Sequence, residues 1–380
     1  MLKKVYKEKI LSKNKKCLRK LPNSKQKVNL DFSNNDYLGL SKNQIILSGA
    51  IKAAHEYGIG STGSRLLSGN NELFMQFESE IANCKNTESA LIFNSGFQCN
   101  AFVLASLLDN KTLKSQSLVF FDRLNHSSLY QAAFLSGAKL IRYRHNDWQH
   151  LSNLISDYSH DKRPKFIVTE TVFGMDGDIC PLKEIISIAK ESDALLYLDE
   201  AHATGIIGKN GYGLSTEFDL NDITAVVMGT FSKALGASGA YIACDSTIKD
   251  YIINFCHGFI YSTAPSPFVI GAAQAGWQML PGLEADRKTL KTNSDYLREK
   301  IKMIGLDVGH STTNIVPIIL GDEALTKYIY QELLAYNIKV SSILPPTVPP
   351  GTARIRIALN INHSKQDIEQ LIEALKCIKK

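Results

Sequence analysis

Two short runs carry residues that could do covalent chemistry. Lys233 lies in Thr230-Phe231-Ser232-Lys233-Ala234-Leu235-Gly236, directly after the apolar run Ala225-Val226-Val227-Met228. Asp199 and His202 close a second run, Ala194-Leu195-Leu196-Tyr197-Leu198-Asp199-Glu200-Ala201-His202. An amine condenses with an aldehyde and a carboxylate holds a protonated pyridine nitrogen; pyridoxal phosphate needs both. On that reading Asp199 keeps the ring nitrogen protonated, so electrons flow from a substrate's α-carbon into the ring. Lys233 anchors the cofactor and, once displaced, acts as general base toward the α-proton. Taken singly, each residue also has a structural reading, a solvated loop end for the lysine and a helix cap for the aspartate.

Elements of a particular kind must position these groups. Between Ala90 and Ala243, short apolar and β-branched runs alternate with polar helical stretches, which predicts βαβ units and a largely parallel sheet. Strands are expected near 90–94, 117–121, 139–144, 165–169, 194–198, 225–229 and 239–243, and a helix over 72–83 with apolar residues at 73, 74, 77 and 81. Open α/β sheets bind ligands outside the carboxyl ends of their strands, where Asp199, His202, Thr230 and Lys233 all fall. Ser95-Gly96-Phe97-Gln98 stands between a strand and a helical stretch, so its free amides and helix dipole suit a phosphate. A glycine at such a junction also simply makes the turn. Arg354 and Arg356 alternate with Ile355 and Ile357, so on a strand both point to one face, and a guanidinium fork matches a carboxylate.

Charge density rises at Glu284-Ala285-Asp286-Arg287-Lys288, where a long helix is expected to leave the large unit. Beyond it the pattern reads strand 315–320, helix 323–336, strands 338–343 and 353–359, and helix 365–378. The expected architecture is α/β: an N-terminal helical segment over 1–41, a large domain with a mostly parallel sheet over 42–276, and a smaller α+β C-terminal domain over 277–380. Prolines 345, 346, 349 and 350 form a stiff connection inside the last.

A chain of 380 residues exceeds one ordinary domain, and 44% hydrophobic with 21% charged residues is a soluble globular composition. No run of 18 apolar residues predicts a membrane span. Seven cysteines are dispersed without a Cys-x-x-Cys pair, which points to a reducing cytosol with neither a disulfide framework nor a structural metal. Much of the net charge of +6 lies in the first 27 residues, where ten lysines and Arg19 face only Glu8. That segment reads either as an attraction for a polyanion such as coenzyme A or as a solvated amphipathic helix. It lacks a secretory apolar core, and it is lysine-rich where a mitochondrial presequence is arginine-rich, so a cytoplasmic protein is expected. No aromatics interleave the charges as in a nucleic-acid groove.

Gly58-Ile59-Gly60-Ser61-Thr62-Gly63-Ser64-Arg65-Leu66, Asp122-Arg123-Leu124-Asn125-His126 and Asp199-Glu200-Ala201-His202-Ala203-Thr204-Gly205 precede the lysine in order. Together they resemble the α-oxoamine synthases, pyridoxal-phosphate enzymes of fold type I that condense an amino acid with an acyl thioester and release carbon dioxide. The similarity runs from about Asp31 to the C-terminus. The block Pro345-Pro346-Thr347-Val348-Pro349-Pro350-Gly351-Thr352-Ala353-Arg354-Ile355-Arg356 is most similar to the branch that joins L-alanine to a pimeloyl thioester, on coenzyme A or an acyl carrier protein. A sister branch makes 2-amino-3-oxobutyrate from glycine. A non-catalytic paralogue should have lost the lysine, which is present.

The resemblance implies a homodimer with shared active sites. It places the cofactor phosphate on the backbone of Gly96 and Phe97 with Thr230, and with Thr263 from the partner subunit. It lays His126 over the pyridine ring and has His202 donate to the phenolic oxygen. It assigns Arg356 and Asn35 to the amino acid carboxylate, Arg19 to the neighbourhood of the acyl substrate and Thr347 to a substrate contact, leaving Arg354 as a structural ion-pair partner. One departure stands out: Gly174, in Val172-Phe173-Gly174-Met175-Asp176-Gly177, occupies a position that is usually serine in the family, so a weaker contact or a substituting water is expected there.

Overall fold

The computed structural model describes residues 2–12 and 28–379. Its first strand, β1 (Leu30–Asp31), precedes seven apolar runs that pair into one sheet: β2 (Ser89–Phe93), β3 (Leu118–Asp122), β4 (Lys139–Tyr143), β5 (Lys165–Glu170), β6 (Leu195–Asp199), β7 (Ala225–Thr230) and β8 (Ala240–Cys244). Each lies within one residue of its expected position at either end. The order is β2-β8-β7-β6-β5-β3-β4, with β8 antiparallel to both neighbours and every other pairing parallel. Strands β2, β3 and β8 are buried at every residue, as a sheet covered on both faces requires. After β3 the chain turns out to β4 at the edge, then returns across β3 to begin β5. The crevice between the carboxyl ends of β3 and β5 is therefore where the connections diverge, the place such sheets leave open for ligands.

A second, antiparallel sheet is ordered β11-β12-β9, from β9 (Ile315–Gly321), β11 (Ser341–Ile343) and β12 (Ala353–Ala358). The single strand expected over 338–343 is broken at Val340. Its first half, β10 (Ile338–Lys339), pairs in parallel with β1, and Phe32 N donates to Lys339 O at 2.8 Å. The helical segment expected over 1–41 is likewise corrected. Among the described residues it is helical only at Leu2–Ser12, exposed over 2–11, and in a short turn at Leu40–Lys42. Residues 28–39 instead run over the C-terminal sheet, because the amides of Asn29, Leu30 and Phe32 find their acceptors on Asn337 and Lys339. This buries Phe32 and Tyr37 fully and brings Tyr37 between His202, beyond the end of β6, and Arg356 on β12.

The helices Gln44–Tyr57 and Pro267–Met279 pack closely. Gly49 makes the approach possible, since a Cβ there would sit 2.7 Å from the Ala275 methyl carbon. Beneath the cleft, buried Lys85 pairs with buried Glu200, which also accepts from Ser215 N at 2.8 Å and Ser215 Oγ at 3.0 Å. This pair fixes the backbone immediately after Asp199. No helix among the described residues is long and apolar enough to cross a membrane, and none of their His, Cys, Asp and Glu side chains cluster as a metal site. The six described cysteines are free.

Candidate active site

The carboxyl ends of β2, β3, β5, β6 and β7 surround two adjoining cavities of about 210 and 650 Å³, which share His126, Glu170 and His202. The smaller is lined by Gly96, Phe97, Asn100, Ser128, Asp199, Thr230, Ser232 and Lys233. The larger runs past Phe173, Gly174 and Met175 to the Pro345–Pro350 loop, Arg123 and Tyr130.

Lys233 rides on a tight loop closed by Phe231 N on Gly239 O at 3.0 Å and by Gly236 N on Lys233 O at 2.9 Å. Gly236 has φ of +63°, and a Cβ there would strike Ser41 backbone at 2.3 Å, so only glycine closes this loop. Burial lowers the Lys233 ammonium to about 8, against the upward pull of Asp199 and Glu170, leaving an amine close to its nucleophilic form. Asp199 ends β6 almost fully buried; its Oδ2 accepts from Asn100 Nδ2 at 2.6 Å and its Oδ1 from Ala201 N at 2.8 Å. Asn100 also accepts from Tyr197 Oη at 3.0 Å and donates to Ser128 Oγ at 3.0 Å. A carboxylate so oriented at a cavity wall suits a protonated aromatic nitrogen.

The helix Gly96–Leu107 begins at this cavity, and Ser95 Oγ caps Gln98 N at 3.2 Å, leaving the first amides for a ligand. A Cβ on Gly96 would lie 3.1 Å from Met228 Cε, so glycine keeps the wall open. Thr230 Oγ1 donates to Gly239 O at 2.8 Å and accepts from Ser232 N at 3.2 Å, holding the turn into Lys233. A buried amine, a carboxylate and a helix N-terminus around one cavity form a donor set that fits pyridoxal phosphate. Thr263 lies elsewhere, exposed beside Asn94, whose Nδ2 donates to Thr263 O at 2.9 Å.

His126 caps the helix Ser127–Ser136, and its Nδ1 accepts from Ser128 N at 3.3 Å. From this helix start the residue lines both cavities. Burial and the Lys233 charge lower its imidazole below the usual range, against the pull of Asp199. His202 is lowered much further, by burial first and then by Lys233, Arg356 and His126, and so stays neutral. Its Nδ1 lies 2.7 Å from Tyr37 Oη. Arg356, also buried, donates from Nε to Gly174 O at 2.5 Å and from Nη2 to Asn35 Oδ1 at 3.0 Å and Tyr37 Oη at 3.3 Å. The hydroxyl usual in the family is absent at Gly174, and His202 stands close against the position: a Cβ there would sit 2.2 Å from His202 Nε2.

Thr347 lines the larger cavity, whereas Arg19 lies outside the described residues. Arg354 pairs with Asp176 and donates to Thr352 O at 3.1 Å. Behind the cleft, His145 bridges two buried carboxylates, with Nδ1 3.0 Å from Asp122 Oδ1 and Nε2 2.9 Å from Asp178 Oδ2. Those bonds outweigh burial and raise its imidazole to about 10.

Sequence reasoning gave no task to Glu170, Asn100, Ser128, His145 or Tyr37. Glu170 faces Asp199 across the β5–β6 pairing; burial and that neighbouring charge hold its carboxyl well above the usual carboxylate range. The available signal for Glu170 was a carboxylate closing an apolar strand, the same signal that marks Asp199.

The class I and II aminotransferase family matches residues 27–375. A Paramagnetospirillum magneticum protein, provisionally described as 8-amino-7-oxononanoate synthase, is 45% identical over 91% of this chain and 87% of its own. The 8-amino-7-oxononanoate synthase of Gluconacetobacter diazotrophicus is 43% identical over the same shares. The crystal structure of 8-amino-7-oxononanoate synthase from Francisella tularensis superposes with a TM-score of 0.79 at 29% identity, covering 92% of this chain and 97% of that one. The chain belongs to the α-oxoamine synthase family. Members of this family depend on pyridoxal phosphate and have fold type I, and this α-oxoamine synthase is an enzyme of the acyltransferase type.

Proposed function

We propose that the enzyme joins L-alanine to a pimeloyl thioester, releasing carbon dioxide and the free thiol carrier and forming 8-amino-7-oxononanoate for biotin biosynthesis. The observation that carries this reading is that the Lys233 cavity adjoins a second one of about 650 Å³, a volume that leaves room for an acyl chain beside the reacting amine. The relatives named above support the choice of substrates.

The bound cofactor supplies an electron sink for the amino acid's α-carbon. Lys233 holds it and takes the α-proton, a task suited to an amine whose burial brings it to about 8. Asp199 would hold the ring nitrogen, Gly96, Phe97 and Thr230 the phosphate, His126 would lie against the ring and His202 would meet the phenolic oxygen. Arg356 and Asn35 grip the substrate carboxylate, with Nη2 already on Asn35 Oδ1 at 3.0 Å. Thr347 and Arg19 serve the acyl chain, whose carrier is coenzyme A or an acyl carrier protein. The enzyme works as a homodimer in the cytoplasm; Thr263, which does not line its own chain's Lys233 cavity, serves the partner's phosphate site.

The test is a spectral titration of the holoenzyme with L-alanine and with glycine, followed by pimeloyl-CoA with thiol release monitored. An alanine-dependent change in the visible band and alanine-dependent thiol release support the proposal. Turnover with glycine alone would move the enzyme to the sister branch, and no cofactor band would remove the catalytic reading.

A further inference from the structure

The phenol of Tyr37 is fully buried and stands between the two working ends of the site. Its oxygen lies 2.7 Å from His202 Nδ1, 3.1 Å from Asn35 Oδ1 and 3.3 Å from Arg356 Nη2. Three partners surround one phenolic oxygen, and their chemistry decides which of them receives its proton. A guanidinium only donates, so Arg356 puts its proton on the Tyr37 oxygen. Asn35 Oδ1 is placed to accept from Tyr37 at 3.1 Å, but it also accepts from the same Nη2 at 3.0 Å and so keeps a donor when the phenol turns away. His202 Nδ1 is the nearest remaining acceptor, and its only hydrogen-bond partner among the described residues is Tyr37.

Two proton arrangements satisfy the geometry. In one, the chain runs head to tail from Arg356 N–H to the Tyr37 oxygen and from Tyr37 O–H to His202 Nδ1. In the other, His202 Nδ1–H and Arg356 both donate to one phenolic oxygen, and Tyr37 donates to Asn35. The head-to-tail chain is favoured because each bond polarises the next, and because a cation beside the phenol makes it a better donor and a poorer second acceptor. We infer that Tyr37 is a positioning residue that holds His202 in the tautomer with its proton on Nε2, making His202 a hydrogen-bond donor toward the cleft.

Nε2 is the ring atom nearest the bare Gly174, on the wall of the larger cavity, and has no hydrogen-bond partner among the described residues. With the opposite tautomer, Nε2 would offer a lone pair and repel the phenolic oxygen it is proposed to meet. The inference rests on the proposed function only for the identity of that acceptor; the tautomer itself is a property of the protein.

The experiment is nitrogen-15 NMR of histidine-labelled apoprotein, with His202→Asn assigning the signal. The wild-type ring should show an unprotonated Nδ1 and a protonated Nε2 across neutral pH. Tyr37→Phe, which keeps the ring and removes the hydroxyl, should abolish that pattern in favour of a mixture or the opposite tautomer. A wild-type signal with the proton on Nδ1, or an unchanged signal in Tyr37→Phe, overturns the inference; the first outcome is decisive even if the variant does not fold. In holoenzyme, the visible band of Tyr37→Phe should change with pH at a different point from wild type. A tautomer that changes without any movement of the band sustains Tyr37's role and removes His202 from the cofactor.

Discussion

His145 Nε2 lies 2.9 Å from Asp178 Oδ2 while Nδ1 of the same ring lies 3.0 Å from Asp122 Oδ1. One imidazole thereby joins the end of β3, four residues before His126, to the loop after β5 that carries Gly174 and Asp176. Asn146 reinforces the junction, its N donating to Asp122 at 2.9 Å and its Nδ2 to Asp178 at 2.8 Å. The walls of the cleft are held by a cation.

This has a signed pH consequence. The His145 imidazole is raised from 6.5 to about 10, so its contribution to stability is complete below pH 6.5 and is lost as pH climbs through about 10. His145→Gln should cost on the order of a few kcal/mol at pH 6 and progressively less toward pH 10. Urea midpoints across that range measure it. A wild-type advantage that stays constant with pH would contradict the charged clamp.

Lys233 should show its lowered affinity for protons in the apoprotein. Capture of pyridoxal phosphate should accelerate with pH only until about 8 and then level, because the amine is already neutral. Stopped-flow absorbance against pH is the measurement. A rate that continues to climb toward pH 10 would mean an ordinary, solvated lysine.

Gly174 leaves room that His202 takes. Gly174→Ser puts a Cβ 2.2 Å from Nε2, so the ring must swing away. We expect about tenfold lower kcat/KM, roughly 1.4 kcal/mol of transition-state stabilisation. Equal kinetics and an unaltered visible spectrum in the variant would show that His202 does not depend on this space.

The Lys85–Glu200 pair is wholly buried, so removing one partner strands a charge. Lys85→Met should cost about 3–5 kcal/mol, and Lys85→Met with Glu200→Leu should recover part of that loss. Denaturant unfolding of the single and double variants decides it. Equal losses in both would mean that the stranded charge is not the cause.

Legibility in the sequence followed the range of the interaction. The strands of the main sheet could be read because Leu91-Ile92-Phe93 or Val226-Val227-Met228 state their burial locally. Asp199 and Lys233 were visible because strand ends in a parallel sheet converge by topology. Asn100 was not, since on its helix it reads as one polar residue, and its partner Asp199 is 99 positions away. Tyr37 lies only two residues from Asn35, but its task depends on His202 and Arg356, 165 and 319 positions along. The break at Val340 was hidden for a related reason: the pattern over 338–343 is that of one strand, and only pairing with Leu30 and Asp31 divides it.

The most direct test of the central claim is product analysis by mass spectrometry after incubating the holoenzyme with carboxyl-labelled L-alanine and a pimeloyl thioester. The account predicts 8-amino-7-oxononanoate with the label absent from the product and recovered as carbon dioxide, one per thiol released, and neither product nor label release with Lys233→Ala. Product that retains the label, or condensation with glycine and none with alanine, would contradict it.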